Sequence, residues 1–328
     1  MFDAREEVIG WASAGALASE RVPDALRVAG VIPSAAQWRL FVERLLAWLG
    51  ATLVAAALCY FVAANWQELG RYAKFAMVEA ALVVAVAVAC WQGLDALAGR
   101  VALLTAALVT GVLLALVGQV YQTGADAYEL FAAWALFILP WVVVGRQPVL
   151  WLLWIALVDV AILLVFRTNA ARGIDVLDLL FTTRAALWCV LAFNAAALAL
   201  WEALAARRGG WLAERWAPRT LAVTVGAAAT FLVVDAIVGF SSRAAGPWCF
   251  AAYLAFAAAM YRAYRVRTRD LFMLAGLVLS AIVVIAFAFV RYLFHNDAAG
   301  GFLLTGLVVI ACAAAGAYWL RRVGAEGP

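Results

Sequence analysis

Charge is what this sequence has least of. Only 13% of its 328 residues are Asp, Glu, Lys or Arg, where soluble domains carry about a quarter. Histidine occurs once, at His295, and lysine once, at Lys74. The five cysteines, Cys59, Cys90, Cys189, Cys249 and Cys312, each stand alone in or at the edge of an apolar run. No two of them have the spacing of a zinc site or a disulfide framework, so no metal and no cofactor is expected. No Ser, His or Cys constellation suited to nucleophilic catalysis is present either, and the sequence argues more against an enzyme than for one. The basic residues fall between apolar runs. Membrane topology accounts for that placement, and nucleic acid is not an expected partner.

What the sequence has is apolar residues, 68% of the total, with a mean hydropathy of +0.99. A span needs about 20 apolar residues, within a range of about 17–25. Ten runs fit: 45–64, 72–91, 101–118, 128–145, 149–166, 185–205, 220–240, 247–264, 271–293 and 302–320. The fourth and fifth are separated only by Arg146-Gln147-Pro148, so they read as either a tight hairpin or a re-entrant pair. The expected fold is all-α, a polytopic transmembrane bundle of about ten spans. With the N-terminus inside, Lys and Arg number 17 in cytoplasmic segments against 7 outside. The positive-inside rule then predicts that both termini are cytoplasmic. The acidic start at Met1–Glu7 does not resemble a cleavable signal peptide, and the first span is expected to act as an uncleaved anchor.

Residues 1–44 read as a short cytoplasmic or interfacial helical segment. Trp11–Leu17 and Leu26–Ile32 repeat one pattern, a helix end followed by a glycine (Gly15, Gly30) suited to a left-handed C-cap. Ser34 with Gln37 then signals a new helix start. Residues 45–150 form a first transmembrane region and 151–328 a set of further spans.

The most specific polar stretch is Gly118–Glu129, which holds two Gln, two Tyr, an Asp and a Glu and no basic residue. By the charge count it faces outward, as does Asn65-Trp66-Gln67-Glu68. Gln119, Tyr121, Gln122 and Asp126, with Asn65 and Trp66, are the expected lining of an outward polar pocket. The competing reading makes Asp126 a helix cap and gives the aromatic residues to the headgroup belt. Ionisable or amide groups inside spans form a second set: Glu79, Asp159, Asn194 and Asp235. A charge at the bilayer centre costs at least about 2.5 kcal/mol, so such residues are functional hypotheses by default. Their available cationic partners include Lys74, Arg184 and Arg291. Ala107, Gly111 and Ala115, spaced by four, make a small-residue stripe suited to close helix packing. The arginines at 207–208, 262–269 and 321–322 read as topological anchors, with anionic headgroups as an alternative role.

Three strings resemble the DUF2157 family of bacterial membrane proteins. They are Phe61-Val-Ala-Ala-Asn-Trp66, Gly70-Arg-Tyr-Ala-Lys-Phe75, and Gly118-Gln-Val-Tyr-Gln-Thr-Gly-Ala-Asp126 continuing through Trp134 to Pro140-Trp141. The resemblance covers roughly residues 10–150. It implies a multi-pass protein of the bacterial inner membrane, and it brings no activity and no catalytic residues with it. The functional expectation is therefore a protein that binds or passes a small solute through the outward pocket. A scaffold or accessory subunit that docks a partner membrane protein is the alternative, and an integral-membrane enzyme acting on lipid or glycan is the third. The bilayer itself is the certain partner.

The topology is testable by accessibility labelling of Ser19→Cys, Thr123→Cys and Thr268→Cys in a cysteine-free background. Only the Thr123 position is expected to label from outside intact cells. Outside labelling at 19 or 268 contradicts the predicted orientation.

Overall fold

Hydrocarbon offers no water to backbone N–H and C=O groups, so a spanning segment has to satisfy them internally, as a helix does. A computed structural model describes residues 2–65, 67–172, 176–239, 246–293 and 298–326, apart from the side chains of 2, 3, 6, 169–183 and 298–300. Among the described residues there are twelve α-helices and no strand. The chain divides into two units, Met1–Val109 with Gly324–Pro328, and Thr110–Val323.

The first unit opens with α1 (Phe2–Ser13) and α2 (Val22–Val28). Both end in the same way. Gly15 and Gly30 take φ of 73° and 72°, and the backbone N–H groups of Ala16 and Val31 reach back to the carbonyls of Trp11 and Leu26, each at 2.9 Å. These are Schellman closures, in which glycine tolerates the left-handed angle that a side chain would resist. Ser34 then starts α3 (Ala35–Ala64) with a full capping box: the Gln37 N–H donates to Ser34 Oγ at 3.2 Å, and the Ser34 N–H donates to Gln37 Oε1 at 2.8 Å.

The cap sits eleven residues before the expected start of the first span at 45, and α3 is one 30-residue helix. At 1.5 Å per residue it is about 45 Å long, against a hydrocarbon thickness of about 30 Å. Its polar first third, with Gln37, Arg39, Glu43 and Arg44, is the part in excess. The stretch 35–44 is therefore continuous with the helix of the first span. After α4 (Arg71–Gln92) the chain turns at Gly93, and α5 (Leu97–Tyr121) begins so close to that turn that a Cβ at Gly99 would collide with the Gly93 carbonyl. Arg100 Nε ties the turn by donating to the Leu94 carbonyl at 2.9 Å.

In the second unit, α6 (Ala127–Gly145) and α7 (Pro148–Arg172) form a tight helical hairpin of two full-length helices. Its turn needs only Arg146, left-handed at φ 47°, and buried Gln147. Pro148 follows at the first helical position, where its missing N–H costs nothing. Trp154 Nε1 crosses the hairpin to the Ala135 carbonyl at 3.1 Å. α8 (Val176–Arg208), α9 (Trp216–Val238), α10 (Gly246–Tyr261), α11 (Leu271–Leu293) and α12 (Ala298–Ala325) complete the unit.

α9 is its centre. Ala217, Ala222, Ala228 and Ala229 are buried on it, beside Leu221, Leu232 and Val233. Around them pack Leu198 and Trp201 of α8, Tyr253 and Met260 of α10, Met273 and Leu274 of α11, and Val323 of α12. Small residues allow this close approach where no hydrophobic force drives helices together.

Nine helices among the described residues are long and apolar enough to cross a membrane. The expected span at 247–264 is the exception. Its α-helix stops at Tyr261 after 16 residues, about 24 Å, and continues as a π-helix over Arg262–Arg267.

The small-residue stripe is buried at Ala107 and Gly111 and half-buried at Ala115. A Cβ on Gly111 would collide with the indole of Trp134 on α6, which also stacks with Phe131 at 6.1 Å. Gly111→Leu is therefore expected to destabilise the protein by about 1–3 kcal/mol through overpacking, read as a lower melting temperature in detergent. An unchanged melting temperature with normal expression counts against this contact.

Candidate functional site

The polar residues expected on the outward side end one helix and begin the next. α5 stops at Tyr121, which is 63% exposed. Gln119 and Gln122 are exposed, and Gln122 takes φ 45°, a left-handed angle unusual for a non-glycine residue. Gly124 completes the turn at φ 68°. Asp126 holds the N-cap position of α6 with extended backbone but makes no side-chain capping bond, so it is not the cap that its position suggests. Asn65 lies in the other unit, where its Nδ2 donates to the Phe61 carbonyl at 2.8 Å and closes α3. Trp66 lies outside the described residues, as does His295.

Of the polar groups expected inside spans, three are held by partners within the second unit. Asn194 of α8 is 1% exposed and donates through Nδ2 to Asp159 Oδ1 of α7 at 2.7 Å and to the Val190 carbonyl at 3.0 Å. Asp235 near the end of α9 accepts from Arg184 at the start of the α8 span, with Nε to Oδ2 at 2.9 Å and Nη2 on the same oxygen. Arg184 was among the few cations placed to do this. Glu79 is exposed on α4. Within these two pairs, two buried atoms have no hydrogen-bond partner among the described residues, Asn194 Oδ1 and Arg184 Nη1. Each is a position where a water or a ligand atom would gain a bond.

A second polar cluster went unread in the sequence. Asp270, the residue before α11, has a side chain only 5% exposed. It accepts from Arg219 Nε and Nη2 at 3.2 and 3.1 Å, from Arg215 Nε and Nη2 at 3.3 and 3.2 Å, and from the Phe272 N–H at 3.1 Å. Arg215 Nη1 also reaches both oxygens of Glu202 at 3.0 Å, and the Tyr264 hydroxyl donates to Glu202 Oε1 at 2.8 Å. Burial alone would raise the Asp270 carboxyl, but the bonds and charges of Arg219 and then Arg215 outweigh it and hold it below the usual carboxylate range. Burial and then the Glu202 carboxylate push the Tyr264 phenol well above its ordinary value, so it stays a donor. The arginines alone read as topological anchors. The signal that could have found the cluster is the pair of carboxylates at span ends, Asp270 just before an apolar run and Glu202 in the last turns of another.

A cleft of about 610 Å3 lies beside this cluster, between α9, α10 and α11. Its walls are almost wholly apolar. Gly226 and Gly276 leave room in them, and Thr230, Ser280 and Asp235 supply the polar atoms. The hydroxyl groups form a chain with one direction. Thr230 Oγ1 donates its only proton to the Gly226 carbonyl at 2.6 Å, so Ser280 Oγ donates to Thr230 at 2.6 Å and the Tyr253 hydroxyl donates to Ser280 at 3.0 Å. A second apolar cavity of about 540 Å3 lies along α6 and α7, with Tyr128, Trp154 and Cys189 in its wall.

The pairing of Asp159 with Asn194 separates a structural from a chemical role. Asp159→Leu strands the Asn194 amide and is expected to cost about 1–3 kcal/mol. Asp159→Asn offers an N–H to the orphaned Asn194 Oδ1 and is expected to keep the wild-type melting temperature. Equal losses in both variants would show that the carboxylate itself is needed.

Residues 10–151 match the family model described as "Predicted membrane protein (DUF2157)". No curated protein matches the chain, and no solved structure does.

Proposed function

We propose that this multi-pass chain, DUF2157-like over residues 10–151, is a bacterial inner-membrane protein that binds a small membrane-soluble ligand in the cleft of its second unit. The observation that carries this reading is the cleft itself. Its volume of about 610 Å3 falls within the ~300–1,000 Å3 of small-molecule sites, which are mostly apolar with a few placed polar groups. A conduit for a polar solute would place unpaired polar groups along a path. Here Asp159 and Asp235 are engaged by Asn194 and Arg184, and the cleft wall is aliphatic and aromatic.

A second reading keeps the outward segment as a solute or partner site. Gln119, Tyr121 and Gln122 are exposed, and the left-handed Gln122 is the kind of backbone strain that collects at functional positions. A scaffold role would use these same exposed groups to dock another membrane protein and would leave the cleft without a ligand.

The experiment is native mass spectrometry of the protein released from mild detergent, beside Gly276→Leu. Nothing lies within 4 Å of a Cβ built at Gly276, so leucine enters open space in the cleft and leaves the helix contacts alone. A bound small molecule on the wild type that is absent from Gly276→Leu supports cleft binding. Identical spectra contradict it and favour the scaffold.

A further inference from the structure

We propose that the cleft ligand is an amphiphile with an anionic head and an acyl chain, an anionic phospholipid being the form available in a bilayer, and that Arg219 receives the head. The inference rests on the cleft reading above and adds the ligand class to it. Arg219 lies one helical turn before Ala222 and Val223, the first cleft residues of α9, and on the same face. Its guanidinium stands over the ring of Phe272, another cleft residue, at 5.4 Å. It marks the end of the cleft where the apolar walls give way to charge.

The bonding at that end leaves positive charge facing outward. Arg219 turns Nε and Nη2 inward to Asp270, whose side chain is 5% exposed, while its own side chain stays 41% exposed. That leaves the Nη1 edge for another acceptor. A guanidinium presents donors on more than one edge, and a phosphate oxygen suits such an edge. The surrounding loops strengthen the field. Segments 207–219 and 262–270 hold eight arginines against two carboxylates, Glu214 and Asp270, with Glu202 a third at the rim.

The cleft runs along α9 from Ala222 to Val238. That is a rise of about 24 Å at 1.5 Å per residue, with Arg219 one turn beyond its start. An acyl chain fits such a run of apolar wall and needs no polar partner inside it. Asp235 at the far end is neutralised by Arg184, so it does not repel an anionic ligand whose head sits at the arginine end.

The test is the melting temperature of purified protein in detergent, titrated with mixed micelles of either phosphatidylglycerol or phosphatidylcholine having the same acyl chains. Wild type is expected to be stabilised by both, with phosphatidylglycerol about fivefold more potent. Arg219→Gln is expected to lose that preference and keep the response to both lipids. Arg219→Lys, which keeps the charge beside Asp270, is expected to retain much of the preference. Gly276→Leu is expected to abolish both responses. Equal potency of the two lipids on wild type, or a preference that survives Arg219→Gln, overturns the headgroup assignment while leaving cleft binding intact. Responses that survive Gly276→Leu, or no response to either lipid in wild type, overturn cleft binding and the assignment with it.

Discussion

The second unit depends on one buried carboxylate. Asp270 takes Arg215 just before α9, Arg219 in its first turn and the Phe272 N–H in the first turn of α11, so it fixes the end at which these helices meet. Glu202 extends the same network to α8 through Arg215 and to the π-helical turn through Tyr264. Removing one partner of a buried ion pair leaves an uncompensated charge and is strongly destabilising. The network therefore sets the position of α9 against α8 and α11 at one end, and small side chains set it along the rest of its length.

The shape of the cleft follows from that arrangement. With the helix ends held by Asp270 and the α9 core held by alanines, the cleft opens along the face carrying Gly226 and Gly276. Larger side chains at those two positions would fill the space. The hydroxyl chain from Tyr253 through Ser280 to Thr230 satisfies the polar atoms that the opening uncovers, which leaves the wall free of unmet donors. The π-helical turn belongs to the same arrangement. It ends α10 early and carries Tyr264 inward to Glu202, while the arginines around it lie at the arginine-rich end of the cleft.

Much of the fold was legible in the sequence because the constraints on it are local. Apolar runs of span length became helices, Gly15 and Gly30 closed α1 and α2, and Ser34 with Gln37 opened α3. The helix that Ser34 opens runs unbroken into the first span, since polar residues in its first third break the apolar run without breaking the helix. The stretch at 247–264 kept its hydropathy but changed helix type at Tyr261, and composition carries no mark of that change. The intramembrane groups were visible as residue types, and Arg184 was visible as a partner, since few cations lie near a span end. The Asp270 cluster was not visible. It joins residues up to 68 positions apart, Glu202 to Asp270 through Arg215, and each arginine alone is already explained by topology. The cleft was equally hidden, because an absence of side chains between two helices leaves only ordinary glycines in the sequence.

The central claim is that the space between α9 and α11 is a ligand site with its charged end at Arg219. The most direct measurement is an experimental structure of the protein in nanodiscs containing phosphatidylglycerol. The account predicts elongated non-protein density along Gly226, Thr230, Gly276 and Ser280, with its head against the Nη1 edge of Arg219. Closure of α9 onto α11, with protein side chains filling the space and Arg219 wholly engaged by protein carboxylates, would contradict it.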